Sequence, residues 1–188
     1  DPDLMLTLPR AVTLQSALYA LSHALESIWN VNANPISDVL AVAAAREVMA
    51  TLPALLDAPG SRELRQRMAV AALQAGLAFS NTKTALAHSI SYEMTLRYCL
   101  PHGIACSFTL PMVLQRAIGI HPARDAVLAR IFDGGLGYAP ARLDAFMRQV
   151  GVATDFAHYG VADEDAQRMV THALDGVRGR NFIGAAAS

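Results

Sequence analysis

The chain is poor in the residues that usually announce a function. Cys99 and Cys106 are the only cysteines in 188 residues, too few for a disulfide framework, which points to a reducing, cytoplasmic compartment. Charged residues are sparse, at 16%, and the net charge is −1 with no basic stripe. That excludes nucleic acid as a partner. No charge-free apolar run approaches the ~20 positions of a transmembrane helix, so no membrane span is expected. Strand-like alternation is nearly absent. Gly134, Gly135 and Gly137 do not follow a strand, so they do not read as a dinucleotide-cradling loop. The start, Asp1-Pro2-Asp3-Leu4, has no initiator methionine and no signal or transit pattern, and the chain reads as a fragment of something longer.

What is abundant is small and apolar. Hydrophobic residues make up 53%, enough for a sizeable core and for an additional face that needs a partner. Helical periodicity dominates, and the length suits one domain spanning 1–188. The expected fold is all-α and bundle-like, with about eight helices. Thr13 or Ser16 opens the first, which runs to Trp29. Val31 to Pro35 forms a turn. A second helix covers Ile36 to Leu52, buries Val39, Val42, Ala43 and Val48, and is interrupted at Pro53. A third starts after a Ser61 cap and runs from Arg62 to Phe79, with its later half buried on most sides. A fourth carries His88 and Tyr92 and ends at Leu100-Pro101. The next opens at His102 and runs toward Gly119, kinked at Pro111. Shorter helices are expected at Ala123 to Phe132, Pro140 to Val150 and Asp163 to Val177, with a frayed tail from Gly184 to Ser188.

Chemistry concentrates on three histidines. Tyr19 and His23 are four apart on one helix and share a face, and His88 and Tyr92 repeat that spacing on another. His102 stands just behind Pro101, where the chain turns back. Three imidazoles from separate segments can hold a divalent metal and leave a coordination position open. The competing reading is that each is a core histidine with satisfied nitrogens. Cys106, four residues after His102, is either a buried core thiol or a metal thiolate. His121, His158 and His172 read as surface or helix-end residues.

Three patterns, Ala20-Leu21-Ser22-His23-Ala24-Leu25-Glu26, His88 and Pro101-His102-Gly103, occur in order. With Gly76 to Asn81 ahead of the histidine helix, they resemble the C-terminal helical domain of the iron-containing, group III alcohol dehydrogenases. The resemblance extends from about Pro9 to the end. It implies a dehydroquinate synthase-like C-terminal domain, with a nucleotide-binding domain as its partner. It also implies NAD(P) held mainly by that other domain, which does not precede Asp1 here. The implied metal is Fe²⁺, with Zn²⁺ as competitor, on His23, His88 and His102. The reaction implied is hydride transfer between a small alcohol or aldehyde and the nicotinamide.

The chain departs from the family pattern in two places. The fourth ligand of the family is an aspartate four residues before the first histidine, where this chain has Tyr19. A phenol, with an ordinary pKa of ~10, is neutral and longer, so metal binding is expected to be weakened. Many members carry a second histidine four residues after His88, and Tyr92 stands there as the expected proton donor. Thr82-Lys83-Thr84 together with His88 to Tyr92 resembles the phosphonoacetaldehyde reductase branch, which assigns Lys83 and Thr84 to an anionic head group. Arg97, Arg178 and Arg180 are alternative anion binders. The expected activity is that of half a dehydrogenase, silent in isolation, with a homodimer as an option. The alternative is a metal-free helical binding or assembly module that has lost catalysis.

Overall fold

The computed structural model describes residues 1–185. Nine α-helices are present among them: α1 (Arg10–Ile28), α2 (Pro35–Asp57), α3 (Arg62–Thr82), α4 (Leu86–Tyr98), α5 (His102–Ala105), α6 (Leu110–Ala117), α7 (Pro122–Leu128), α8 (Ala139–Gln149) and α9 (Asp163–Asp175). Among the described residues there is no strand, and Asn30 and Phe182 form an isolated antiparallel bridge. The fold is all-α, as expected. Of the tail expected to fray, residues 186–188 lie outside the described residues, and Gly184 is buried.

Helix α1 is the centre. It packs against α2, α3, α4, α5 and α7, and Leu18, Leu21, Leu25 and Ile28 are fully buried. Each such side chain contributes roughly 1.5–3 kcal/mol by leaving water. The stretch of α1 from Ala17 onward is covered on nearly every side and must also bury its polar residues, and Ser22, His23, Glu26 and Ser27 are all inside. That burial gives the site its starting materials.

Capping explains how α2 begins. The Asn34 side chain accepts from the backbone N–H of Ile36 and Ser37, and the Ser37 hydroxyl accepts from Asn34 N–H. Pro35 in the first turn loses nothing by lacking an N–H. Pro53 does not interrupt the helix, contrary to expectation: α2 continues to Asp57. The lost hydrogen bond is outweighed by packing on both sides of the proline, where Leu52, Leu55 and Leu56 are buried. By length and composition α2 could cross a membrane. Here it packs on α1 and α3, and its Asp38 carboxylate takes a two-pronged contact from Arg124, at 2.6 and 3.0 Å.

Two further expectations are corrected. Pro111 is not a kink: the chain breaks after α5, and Pro111 sits in the first turn of a separate helix, α6. The later half of α3 is not buried on most sides. Val70 (48%), Leu73 (63%) and Leu77 (47%) are exposed along one stripe, as are Ile36 and Val39 of α2. Small residues lower the polarity of a helix without fixing which face turns inward.

Gly103 sets the placement of α5. A Cβ there would lie 2.2 Å from the Gln15 carbonyl oxygen of α1, so only glycine allows the turn carrying His102 to approach this closely.

Candidate metal and substrate site

Glu26 organises the site. Fully buried, its carboxylate accepts from the backbone N–H of Ala85 (3.1 Å), Ala87 (2.6 Å) and His88 (3.2 Å). These are orphan donors at the start of α4, where a negative charge also suits the helix dipole. The same carboxylate bonds Nδ1 of His88. Burial works against a charge on His88, but the Glu26 carboxylate, aided by Cys106, holds its pKa up at about 10. The opposite ring nitrogen, Nε2, is buried with no hydrogen-bond partner. A carboxylate fixing one imidazole nitrogen while the other stays free is how proteins orient metal-ligating histidines.

Around that ring lies a hollow of about 540 Å³. It is lined by Tyr19 and His23 of α1, Phe79 of α3, Lys83 and Thr84 between α3 and α4, His88 and Tyr92 of α4, and His102 of α5. Arg178 and Asn181, beyond α9, complete it. All six residues singled out from the sequence (His23, His88, His102, Tyr92, Lys83 and Thr84) therefore meet in one place. A larger groove of about 740 Å³ between α6 and α9 holds no histidine or cysteine.

The imidazoles differ in their surroundings. His23 stacks on Phe79, with centroids 4.0 Å apart, and lies 5.0 Å from His88. Burial, with His88 and His102 nearby, pushes its pKa down to about 3. His102 is half-buried and lowered too, by burial and then by His88. Both rings are neutral at pH 7 and offer lone pairs. Tyr19 lies among all three, its ring centroid 4.1, 5.4 and 5.2 Å from those of His23, His88 and His102. Burial raises its pKa further, so position 19 supplies a neutral phenol.

Positive charge gathers at the rim. Arg178 lies over the Tyr92 ring, 5.0 Å from its centroid, a cation–π contact, and its Nε donates to Thr84 Oγ1 at 3.1 Å. Lys83 has φ +69°, a left-handed conformation that costs a non-glycine residue energy. Asn30 and Asn181 donate to the carbonyls of Lys83 and Thr84 and hold the segment there. Among the described residues no carboxylate pairs with Lys83 or Arg178. Of the three arginines considered, only Arg178 reaches the hollow: Arg97 pairs with Glu93, and Arg180 lines a separate cleft. His121 caps α7, accepting from Ala123 N–H.

Glu26 escaped the reading of single residues. The signal was there: it is the one formally charged side chain between Ala17 and Trp29, in an otherwise small and apolar stretch that offers no polar face to put it on.

Comparison with known proteins extends this geometry. A model of the Fe-containing alcohol dehydrogenase family, C-terminal part, matches residues 13–187. The NAD-dependent methanol dehydrogenase of Bacillus methanolicus is 31% identical over 186 residues, covering 94% of this chain and 49% of its own. The sulfoacetaldehyde reductase of Bilophila wadsworthia is 30% identical over 176 residues, covering 88% of this chain and 46% of its own. The crystal structure of sulfoacetaldehyde reductase from Bifidobacterium kashiwanohense in complex with NAD+ superposes with a TM-score of 0.87 at 26% identity, over 97% of this chain and 48% of that one. The chain thus spans about half the length of the relatives it matches.

The hollow can be tested against the family's metal. The buried, partnerless His88 Nε2 and two neutral imidazoles fit a divalent ion. The phenol at position 19 does not supply the anionic ligand that favours iron.

Proposed function

Because the chain belongs to the iron-containing alcohol dehydrogenase family, of which it matches the C-terminal part, we propose that it is the helical half of an NAD(P)-linked enzyme. That enzyme interconverts a small alcohol and its aldehyde, with a substrate bearing an anionic head such as a phosphonate. The observation that carries this reading is the hollow itself, where three imidazoles face Lys83 and Arg178, two cations that no carboxylate pairs with among the described residues.

His23, His88 and His102 would hold Zn²⁺ or Fe²⁺, and such an ion polarises a carbonyl oxygen. Glu26 engages the Nδ1 side of His88 and stabilises charge on the ring, so an ion at Nε2 would displace a proton there and gain an imidazole already oriented by the carboxylate. Lys83, Arg178 and the Thr84 hydroxyl bind the phosphoryl or sulfonyl oxygens, as an ammonium, a guanidinium and a hydroxyl suit. Arg178 also fixes the ring of Tyr92, an exposed residue whose hydroxyl gives up a proton to the substrate oxygen. Phe79 and Tyr19 narrow the hollow and exclude water. NAD(P) is held by a nucleotide-binding domain outside this chain.

Binding tests the reading. Titrated into the ¹⁵N-labelled chain, 2-hydroxyethylphosphonate should shift the amides of Lys83, Thr84 and Tyr92, whereas ethanol should not. Arg178→Met should weaken the phosphonate at least tenfold. Equal responses to both alcohols overturn the anionic substrate. The chain alone should consume no NAD(P)H with any aldehyde, and turnover by it overturns the placing of the cofactor elsewhere.

A second reading, a metal-free helical module, is favoured by Tyr19, whose ring lies close to all three imidazoles. Bound metal in the purified chain separates the two.

A further inference from the structure

The hollow lacks a carboxylate at position 19, yet a thiol is close. Cys106 is fully buried, one helical turn beyond His102. Its Sγ lies 3.5 Å from Nε2 and 3.8 Å from Nδ1 of that ring. The ligand atoms of His88, His102 and Cys106 all lie within 4.8 Å of one another. His88 is only 3% exposed, and its Nε2 has no hydrogen-bond partner. The backbone of Cys106 is fixed at both ends: its N–H donates to the His102 carbonyl at 2.9 Å, and the Ser22 hydroxyl of α1 donates to its carbonyl at 2.8 Å.

We propose that Cys106 Sγ is the anionic metal ligand of this chain. With His88 and His102 it forms a thiolate–diimidazole site for a borderline-soft divalent cation such as Zn²⁺, in place of the carboxylate absent from position 19. The inference rests on the reading that the hollow binds a metal; it changes which metal, and it sets Cys106 beside His88 and His102 in place of His23 in the ligand set. Binding releases the thiol proton to solvent and forms a metal–sulfur bond, with no change of oxidation state. One thiolate leaves the site a net charge of +1, as one carboxylate would. Sulfur moves the preference from oxygen-seeking ions toward Zn²⁺ and Co²⁺. Three protein ligands leave a tetrahedral ion one open position.

Cobalt tests it by spectrum rather than turnover. The 188-residue chain is loaded with Co²⁺ without oxygen. Visible d–d bands report that the ion is bound, and a near-ultraviolet sulfur-to-cobalt charge-transfer band reports thiolate ligation. Both are expected in the parent chain and in Cys99→Ser, where Cys106 is the only thiol, so the assignment does not depend on a Cys106 variant folding. Cys106→Ser should lose the charge-transfer band and at least tenfold in Co²⁺ affinity. Visible bands without charge transfer overturn the thiolate and leave an imidazole site standing. A charge-transfer band lost in Cys99→Ser overturns it equally. A chain that binds no Co²⁺ overturns both this proposal and the metal site beneath it.

Discussion

The carboxylate of Glu26 holds Nδ1 of His88 across 62 residues of sequence. It gives α1 and α4 a common anchor: the acid serves as cap of one helix, orienter of one imidazole and fixed charge beneath the hollow. Its tasks separate in Glu26→Gln. The amide keeps the shape but turns an N–H toward donors that need an acceptor. Leaving a buried charged network half satisfied costs about 3 kcal/mol. The urea midpoint should fall accordingly with an unchanged slope. A loss under about 0.5 kcal/mol, the level of an ordinary surface change, would mean the contact is not part of the folded state in solution.

Metal choice should respond to position 19. Tyr19→Asp removes a ring packed 4.1 Å from His23 and supplies an anionic oxygen four residues before it. Iron bound per chain after anaerobic loading should rise from near zero toward one, while Co²⁺ binding persists. An iron content that stays at the parent level shows that geometry, rather than the lost carboxylate, limits this hollow.

Much of the site could be read from the sequence because helical spacing carries it. Tyr19 with His23, and His88 with Tyr92, are pairs four apart, and such pairs share a face whatever the rest of the fold does. What was hidden is long-range. The reach of Glu26 to α4, the arrival of Arg178 over Tyr92 and the choice of Arg178 over Arg97 and Arg180 depend on tertiary packing, which periodicity does not encode. The prolines show the same limit. Pro53 has the local chemistry of a breaker, yet buried leucines on both sides carry the helix past it. The exposed stripe Val70, Leu73 and Leu77 was misassigned because an apolar helix looks the same in sequence whether its second face is covered or open.

Gly103→Ala tests how tightly His102 is placed. The added Cβ would sit 2.2 Å from a backbone oxygen of α1, and neither partner is a flexible side-chain tip. Relief requires moving α5 away from α1, with a cost of about 1–3 kcal/mol for overpacking and displacement of His102. Melting temperature and Co²⁺ affinity should therefore fall together. A stable variant with parental affinity would show that α5 can shift without consequence for the hollow.

Arg65 ties the start of the chain to the bundle, and it does so without a carboxylate. Arg65 is 3% exposed as a residue, and its guanidinium donates to the Pro59 carbonyl at 2.9 Å, the Thr13 hydroxyl at 2.7 Å and the Leu8 carbonyl at 3.1 Å. Three acceptors in three directions match a planar fork and not an ammonium. Arg65→Lys keeps the charge and most of the stem, but it strands the buried Thr13 hydroxyl and loses the fork's part-buried contacts with the Leu8 and Pro59 carbonyls. The expected loss is about 2 kcal/mol in urea unfolding. Protection of the α1 amides near Thr13 against hydrogen exchange should drop more than that of amides near Leu25. If lysine matches arginine in both measurements, the charge alone suffices at this position and the fork geometry contributes nothing.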